Sequence, residues 1–138
     1  MGLTQSSTPN TTYLYRVRAV DASVAGQLSN VDLATTIFFT DDPLIVRTTS
    51  MKAVHLTELR IAVNAVRAAA GLAATSFSDP SLATGLRIKA IHLTELRTSL
   101  DAARLALGMP AIAYTDPMLA AGSMIKAAHV RDLRSGVK

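Results

Sequence analysis

The sequence lacks several residues on which whole classes of protein depend. Its 138 residues include no cysteine and no tryptophan, and aromatic side chains make up only 4%. Without cysteine the chain has no disulfide scaffold, no thiol nucleophile and no Cys-ligated zinc. No apolar run approaches the ~20 residues of a membrane-spanning helix, and no basic-then-apolar signal segment opens the chain. These absences predict one domain of ordinary size that does not insert into a membrane.

Positive charge is in moderate excess. The chain carries 14 Lys and Arg against 10 Asp and Glu, a formal charge of +4. The first 37 residues are neutral, so the excess lies entirely in the remainder. A basic surface attracts anionic polymers. However, the basic segments hold few Asn or Gln side chains to read bases and show no helix-turn-helix spacing, so no nucleic-acid partner is expected.

What the chain does contain is an internal repeat. The segments KAVHLTELR at 52–60, KAIHLTELR at 89–97 and KAAHVRDLR at 126–134 lie 37 residues apart. Upstream of them, TDDP at 40–43, FSDP at 77–80 and YTDP at 114–117 recur at the same spacing. Two features that recur at one period indicate duplication of a structural unit. We place the repeats at about 38–74, 75–111 and 112–138.

Each repeat predicts an entry turn followed by a long helix. Asp before Pro starts a turn, and a short helical turn is expected after it, stopping near Gly85 and Gly122. In the second repeat the long helix is predicted from about Ile88 to Leu107, with Gly108 as its stop. The apolar residues form one stripe in 3-4-3-4 spacing, which a single helix cannot bury alone. The three helices are therefore expected to pack on each other.

The first 37 residues predict a β-hairpin. Thr11 to Asp21 alternates and is rich in β-formers, 22–27 is a turn, and Ser29 to Thr36 is a returning strand. Bulky apolar groups occupy both faces of the first strand. Since a lone hairpin is marginal in water and has unpaired edges, we expect it either to pack on the helices or to pair with another copy.

The hairpin segment resembles the last two strands of a fibronectin type III domain. The likeness rests on Tyr13 in the tyrosine-corner position, on YRVRAVDA at 15–22 and on SNVDLATT at 29–36. The earlier strands of that fold are absent, so an intact sandwich is not expected. The resemblance implies that the chain comes from the C-terminal part of a longer extracellular protein.

The repeats resemble those at the C-termini of large bacterial secreted or surface proteins. They are also similar to S-layer homology motifs, which come in threes and open their helix on a basic residue and Ala, as at Lys52, Lys89 and Lys126. The repeat is shorter than in that family, and His stands where the family typically has an acidic residue. The similarity implies binding of a cell-wall polymer.

Three histidines recur, each with a carboxylate three residues later: His55 with Glu58, His92 with Glu95, and His129 with Asp132. This spacing brings both side chains to neighbouring positions of a helix, so three converging imidazoles could hold a metal ion. The alternative is that each His is a hydrogen-bonded core residue paired with the Asp of an entry turn. Since a hydrogen-bonded side chain of the core would also recur with the repeat, we favour the second interpretation and expect no metal.

Recurring cations form the second candidate site. Arg60, Arg97 and Arg134 are predicted on the polar flank of the helices, with Lys52, Lys89 and Lys126 at the helix starts. One interpretation is an anion-binding or polysaccharide-binding surface. The favoured interpretation is a solvated face with weak ion pairs, in which acidic entry turns and basic helices satisfy each other.

Together these patterns predict a mainly α fold, in which a three-repeat helical domain (38–138) follows a β-hairpin remnant of a fibronectin type III domain (1–37). We interpret the chain as a non-catalytic interaction or assembly module of a secreted or cell-surface bacterial protein. It would need no cofactor, and its partners would be further copies of itself or another surface protein. The alternative is a module that binds cell-wall glycan or another anionic polymer.

Overall fold

The computed structural model describes residues 8–21, 24–45 and 50–138. Strands β1 (Thr12–Tyr15) and β2 (Asp32–Thr35) form a two-stranded antiparallel hairpin, and three helices follow it. The helices are α1 (Ala53–Ala69), α2 (Ala90–Ala106) and α3 (Ala127–Gly136). This confirms a mainly α fold with an N-terminal hairpin. Within the described ranges, no helix has both the length and the apolar content to cross a bilayer.

The helices begin and end close to the predicted positions. Helix α2 lies within two residues of the predicted Ile88–Leu107 at either end. Gly108 follows it with φ +71°, a left-handed conformation that glycine adopts without strain and that stops the helix. At the start, the backbone N–H of the N-cap residue Lys89 is bound by the side chain of His92. Histidine thus takes the role that Glu or Gln plays in a capping box.

The predicted apolar stripes form the core. In α2, the side chains of Leu93, Leu96, Leu100 and Ala103 are fully buried. They pack against the equivalent residues of α1 (Leu56, Leu59, Val63 and Val66) and of α3 (Val130, Leu133 and Val137). Full burial of a side chain of this size contributes about 1.5–3 kcal/mol relative to exposure. The shared core explains why no single repeat could hold its helix alone.

The segments before the helices differ from the prediction. In the second and third repeats no helical turn forms between the entry turn and the following helix, and each of these two segments instead makes one tight turn. The first repeat's segment includes residues 46–49, which lie outside the described residues. The N–H of Leu86 bonds to the carbonyl of Ala83, and Ser123 does the same with Ala120. Gly85 and Gly122 have φ of +88° and +86° within these turns, a conformation that would end a helical segment immediately.

The hairpin is shorter than predicted and is anchored at one end. Leu33 of β2 is fully buried in the core of the helices, and Thr12 of β1, which lies opposite Thr35, is also buried. From Tyr13 to Asn30 every described residue is exposed, and we call residues 13–30 the arm. The arm is held by local bonds such as that from the N–H of Ser29 to the carbonyl of Val17. Its predicted turn at 22–27 falls partly on residues 22–23, outside the described residues.

Candidate functional site

The recurring Lys and His hold the entry turn of their own repeat. In the second repeat, Nε2 of His92 lies 2.8 Å from Oδ2 of Asp79, and Nζ of Lys89 lies 3.4 Å from the same oxygen. The other repeats repeat this arrangement, with His55 and Lys52 on Asp41 and with His129 and Lys126 on Asp116. The prediction that the Asp of an entry turn pairs with each His is confirmed.

The hydrogen bonds also assign the proton of each histidine. Nδ1 of His92 accepts the N–H of Lys89 at 3.1 Å and therefore carries no proton, whereas Nε2 donates to Asp79. The same pattern occurs at His55 and His129, and all three side chains are fully buried. Both ring nitrogens are thus occupied. Among the described residues, no group of three or more potential ligand side chains is placed to hold a metal ion.

The entry aspartates have an uncommon backbone conformation and lowered pKa values. Asp41, Asp79 and Asp116 have φ of +53°, +49° and +48°, a left-handed conformation that Asp tolerates better than most residues. The hydrogen bond from His92, with that from Lys89, lowers the pKa of Asp79 below its ordinary value of 3.8. Hydrogen bonds from His55 and Lys52 lower the pKa of Asp41 in the same way, and those from Lys126 and His129 lower the pKa of Asp116.

The carboxylates three residues after the histidines bind the residue that precedes each entry aspartate. Glu95 accepts the backbone N–H and the hydroxyl of Ser78, the residue immediately before the entry aspartate. Glu58 binds Thr40 in the same way, and Asp132 accepts the N–H of Thr115. In the alternative interpretation these carboxylates would join the histidines at a metal ion; in the structure they instead hold the backbone of the entry turn.

The ungapped alignment of the entry turns needs one correction. Asp41, and not Asp42, binds His55, so the spacing from Asp to His is 14 residues in the first repeat and 13 in the other two. Asp42 is an additional residue before Pro43. Phe39 lies one position out of register with Phe77 and Tyr114 for the same reason.

The recurring arginines reach from each helix to the entry turn of another repeat. Arg97 of α2 donates from Nη1 to the carbonyl of Asp116 at 2.9 Å and from Nη2 to that of Thr115 at 2.7 Å. Its guanidinium carbon lies 4.7 Å from the centroid of the Tyr114 ring, a cation–π contact. We call this set of contacts a joint. Its acceptors are main-chain carbonyls together with one aromatic ring.

The same joint occurs three times and closes the repeats into a ring. Arg60 of the first repeat binds the carbonyls of Ser78 and Asp79 and lies over Phe77. Arg134 of the third repeat binds the carbonyls of Thr40 and Asp41 and lies over Phe39 of the first repeat. The first two joints connect residues 18 or 19 apart in sequence, whereas the third connects residues 93 or 94 apart.

These contacts overturn the predicted position of the arginines. Arg60, Arg97 and Arg134 are only 8%, 5% and 3% exposed, so they do not form a solvated flank or an exposed anion-binding face. Burial lowers the pKa of Arg60 and of Arg134. One signal in the sequence could have revealed the joint. Phe77 follows Arg60 by 17 residues, and Tyr114 follows Arg97 by the same number.

Each joint has further contacts that differ between repeats. The side chain of Asn64 bonds to the backbone of Thr75, whereas the equivalent Asp101 accepts the hydroxyl of Tyr114 at 2.7 Å. Burial and this bond raise the pKa of Tyr114. Arg67 and Arg104 also donate across the first two joints, to the carbonyls of Ser99 and Gly136.

The third joint has Lys138 at the position of Asn64 and Asp101. Its Nζ lies 5.8 Å from the centroid of Phe39 and 3.4 Å from Oδ2 of Asp42. Lys138 thus accompanies the third joint through an ion pair and a cation–π contact, whereas Asn64 and Asp101 accompany the other two through hydrogen bonds.

Two of the three lysines at the helix starts, Lys52 and Lys89, border equivalent grooves. The larger, about 520 Å³, lies between the start of α2 and the loop before α3, and its lining includes Arg87, Lys89, Ile91 and Ser123. The smaller, about 360 Å³, lies between the start of α1 and the loop before α2. Lys52, Lys89 and Lys126 have about half of their side chains exposed, although each pairs with an entry aspartate. Arg87 is exposed and was not identified from the repeat pattern.

In comparisons with known proteins, the chain matches no family model, no curated protein and no solved structure.

Proposed function

We propose that the chain is a non-catalytic assembly module of a secreted or cell-surface bacterial protein, and that it self-associates through the arm. One observation carries this proposal. Val17, Val20 and Val24 of the arm are 65%, 76% and 67% exposed, and among the described residues of the arm beyond Tyr15 the only β-pairing is an isolated bridge between Val20 and Ala25. A two-stranded ribbon is marginal in water where no layer covers it, and its edges can accept another strand. Pairing with a second arm would bury these side chains.

The contacts of the ring support a structural role for its polar groups. The recurring Lys, His, Glu or Asp and Arg residues bind entry turns, and the histidines have no free ring nitrogen. A general base or nucleophile would need an accessible reactive atom. The recurring groups thus serve to hold the ring that carries the arm.

The extracellular setting is proposed from the hairpin. The hydroxyl of Tyr13 accepts the backbone N–H of Thr8 at 2.8 Å. A bond from a Tyr hydroxyl to the backbone a few residues upstream is the defining contact of a tyrosine corner. This geometry supports the resemblance to fibronectin type III strands and, through it, a place in a longer secreted or surface protein.

The test is the solution mass of the chain over a range of concentrations, measured by light scattering. The wild-type mass should rise with concentration, and a triple variant Val17→Thr, Val20→Thr, Val24→Thr should remain monomeric. The matched control changes three exposed apolar residues of the ring, Leu105, Met118 and Met124, to Gln and should associate like the wild type. A wild-type chain that stays monomeric at the highest concentration would overturn the proposal.

A second candidate function is binding of an acidic cell-wall glycan, which the similarity to S-layer homology motifs implies. The groove at the start of α2 favours it, because the exposed guanidinium of Arg87 borders a largely apolar lining and makes no hydrogen bond with another described residue. Retention on an anionic glycan column should fall steeply as salt rises to physiological strength. Arg87→Gln should weaken retention, whereas Arg131→Gln, an exposed cation of α3 outside the groove, should not. Absence of retention at low salt would exclude this function.

A further inference from the structure

The groove at the start of α2 combines an apolar lining with positive charge. Its volume of about 520 Å³ lies within the range of about 300–1,000 Å³ that is usual for sites of small molecules. The larger apolar side chains of its lining are Ile88 and Ile91 at the start of α2 and Leu119 in the loop before α3. Among the described residues that line the groove, none is Asp or Glu. The groove is therefore suited to a ligand that is both apolar and negatively charged.

Arg87 is a cation of this groove that the fold does not use. Lys89 also borders the groove, but its Nζ lies 3.4 Å from Oδ2 of Asp79, which offsets its charge. Arg87 is exposed, and no hydrogen bond or ion pair joins it to another described residue. A guanidinium can bind a carboxylate through two parallel hydrogen bonds. A carboxylate in the groove would thus find a partner whose donors are not already occupied.

The repeats show that this cation is specific to one groove. The positions equivalent to Arg87 in the other repeats hold Ser50 and Met124. The smaller groove, at the start of α1, has Val54 in the place of Ile91 and no arginine among the described residues of its lining. The joints recur in all three repeats whereas Arg87 does not, so closing the ring does not require it. The α2 groove therefore differs from its counterpart in the group that would hold an anion.

We propose that the groove at the start of α2 binds an alkyl carboxylate, with its carboxylate on the guanidinium of Arg87 and its alkyl chain along Ile88, Ile91 and Leu119. Ile91 is 48% exposed, so the chain would remove apolar surface from water on both sides of the contact. A second copy docked symmetrically on this face would bring the two Arg87 side chains together, and their like charges repel. Such a site does not involve the arm. It shares with the second candidate function only the anion at Arg87.

Titration with two amphiphiles tests this assignment. The probe is laurate, kept below the concentration at which it forms micelles, and its control is dodecyltrimethylammonium, which carries a cationic head on a comparable chain. Followed by NMR of methyl groups, laurate should shift the signals of Ile91 to saturation and leave those of Val54 nearly unchanged, because the smaller groove has no arginine. Dodecyltrimethylammonium should not shift Ile91. Equal binding of the two amphiphiles, or equal shifts in the two grooves, would overturn the proposal.

Two pairs of matched variants locate the head and the chain of the ligand. Arg87→Gln should weaken laurate binding about tenfold or more, whereas Arg131→Gln, at an exposed position of α3 outside the groove, should leave it unchanged. Ile91→Ser should weaken binding about fivefold, whereas Val54→Ser, its match in the smaller groove, should not. These positions are exposed, so all four variants should fold. An unchanged affinity in Arg87→Gln would contradict the proposed position of the carboxylate.

The same experiments separate the alkyl carboxylate from the glycan. Retention on an anionic glycan column without binding of laurate would overturn the present inference and leave the second candidate function standing. Binding of laurate without retention on that column would support the inference and exclude the glycan.

Discussion

In the ring, arginine and histidine side chains are buried among apolar groups, whereas in the arm valine and tyrosine side chains are exposed to water. The difference follows from the number of partners. Each buried Arg of the ring has two carbonyls and an aromatic ring within reach, which offset the cost of removing its charge from water. In the arm, the described residues are all exposed, and beyond Tyr15 their only β-pairing is the bridge between Val20 and Ala25. Polar burial thus marks the part of the chain in which partners lie on several elements, and apolar exposure marks the part in which they do not.

The comparison predicts the largest loss of stability at a joint. Arg97→Ala should lower the free energy of unfolding by about 3–4 kcal/mol, since two part-buried carbonyls lose a charge-assisted donor and the contact with Tyr114 is lost. Arg18→Ala, at an exposed position of the arm, should change it by less than about 0.5 kcal/mol. Urea denaturation followed by circular dichroism measures both. Equal effects would remove the distinction between ring and arm.

The second largest loss of stability is expected at a histidine of the ring. His92→Ala removes a fully buried side chain that bonds both Lys89 and Asp79, and it should cost about 2–3 kcal/mol. The exposed Thr98 of the same helix provides the control as Thr98→Ala. The pKa of Asp79 should also rise toward 3.8 in the His92 variant, because its largest cause of lowering is gone. A carboxyl titration by NMR that leaves Asp79 unchanged would contradict this arrangement.

A smaller loss is expected where α3 packs on α2. A Cβ added at Gly136 would lie 2.4 Å from Cδ1 of Ile112 and 2.9 Å from Cδ2 of Leu100. Gly136→Ala should therefore cost about 1–2 kcal/mol through overpacking. The variant Ser135→Ala, at the exposed neighbouring position, should be nearly neutral. Thermal unfolding of the two variants would show whether α3 tolerates the extra methyl group.

The smallest effect is expected in the dependence of stability on acidic pH. The pKa of Asp41, Asp79 and Asp116 is lower in the folded chain than 3.8, so their ionised forms stabilise the fold above that pH. This contribution is lost as the pH falls below 3.8 toward the folded values, and the effect is modest because the carboxylates are partly exposed. Asp79→Asn should make the stability of the ring less dependent on pH in this range. An unchanged acid dependence would show that the pairing with His92 does not stabilise the fold.

Local pattern predicted the helices well and the joints poorly. The stripe of Leu93, Leu96 and Leu100, with Gly108 as the stop, placed α2 within two residues because both signals lie on one segment. The partner of Arg134 lies 93 residues away, and a helical wheel places that arginine beside the stripe without showing what faces it. The extra residue in the first entry turn is hidden for a related reason. In the alignment that matches the three prolines, Asp42 falls at the position of Asp79 and Asp116, whereas Asp41 is the residue that binds His55.

The acceptors of the recurring arginines are main-chain carbonyls, and this has a consequence for how the chain can change over evolution. A guanidinium that binds main-chain carbonyls does not depend on the side chain of the residue that supplies them, so Ser78, Thr115 and Thr40 serve alike. The aromatic ring beneath the guanidinium is the one side chain of the entry turn that the joint uses. Duplication of the 37-residue unit therefore copied both the contacts with its own entry turn and those with the next, and side chains outside these contacts can change without a new way to close the ring.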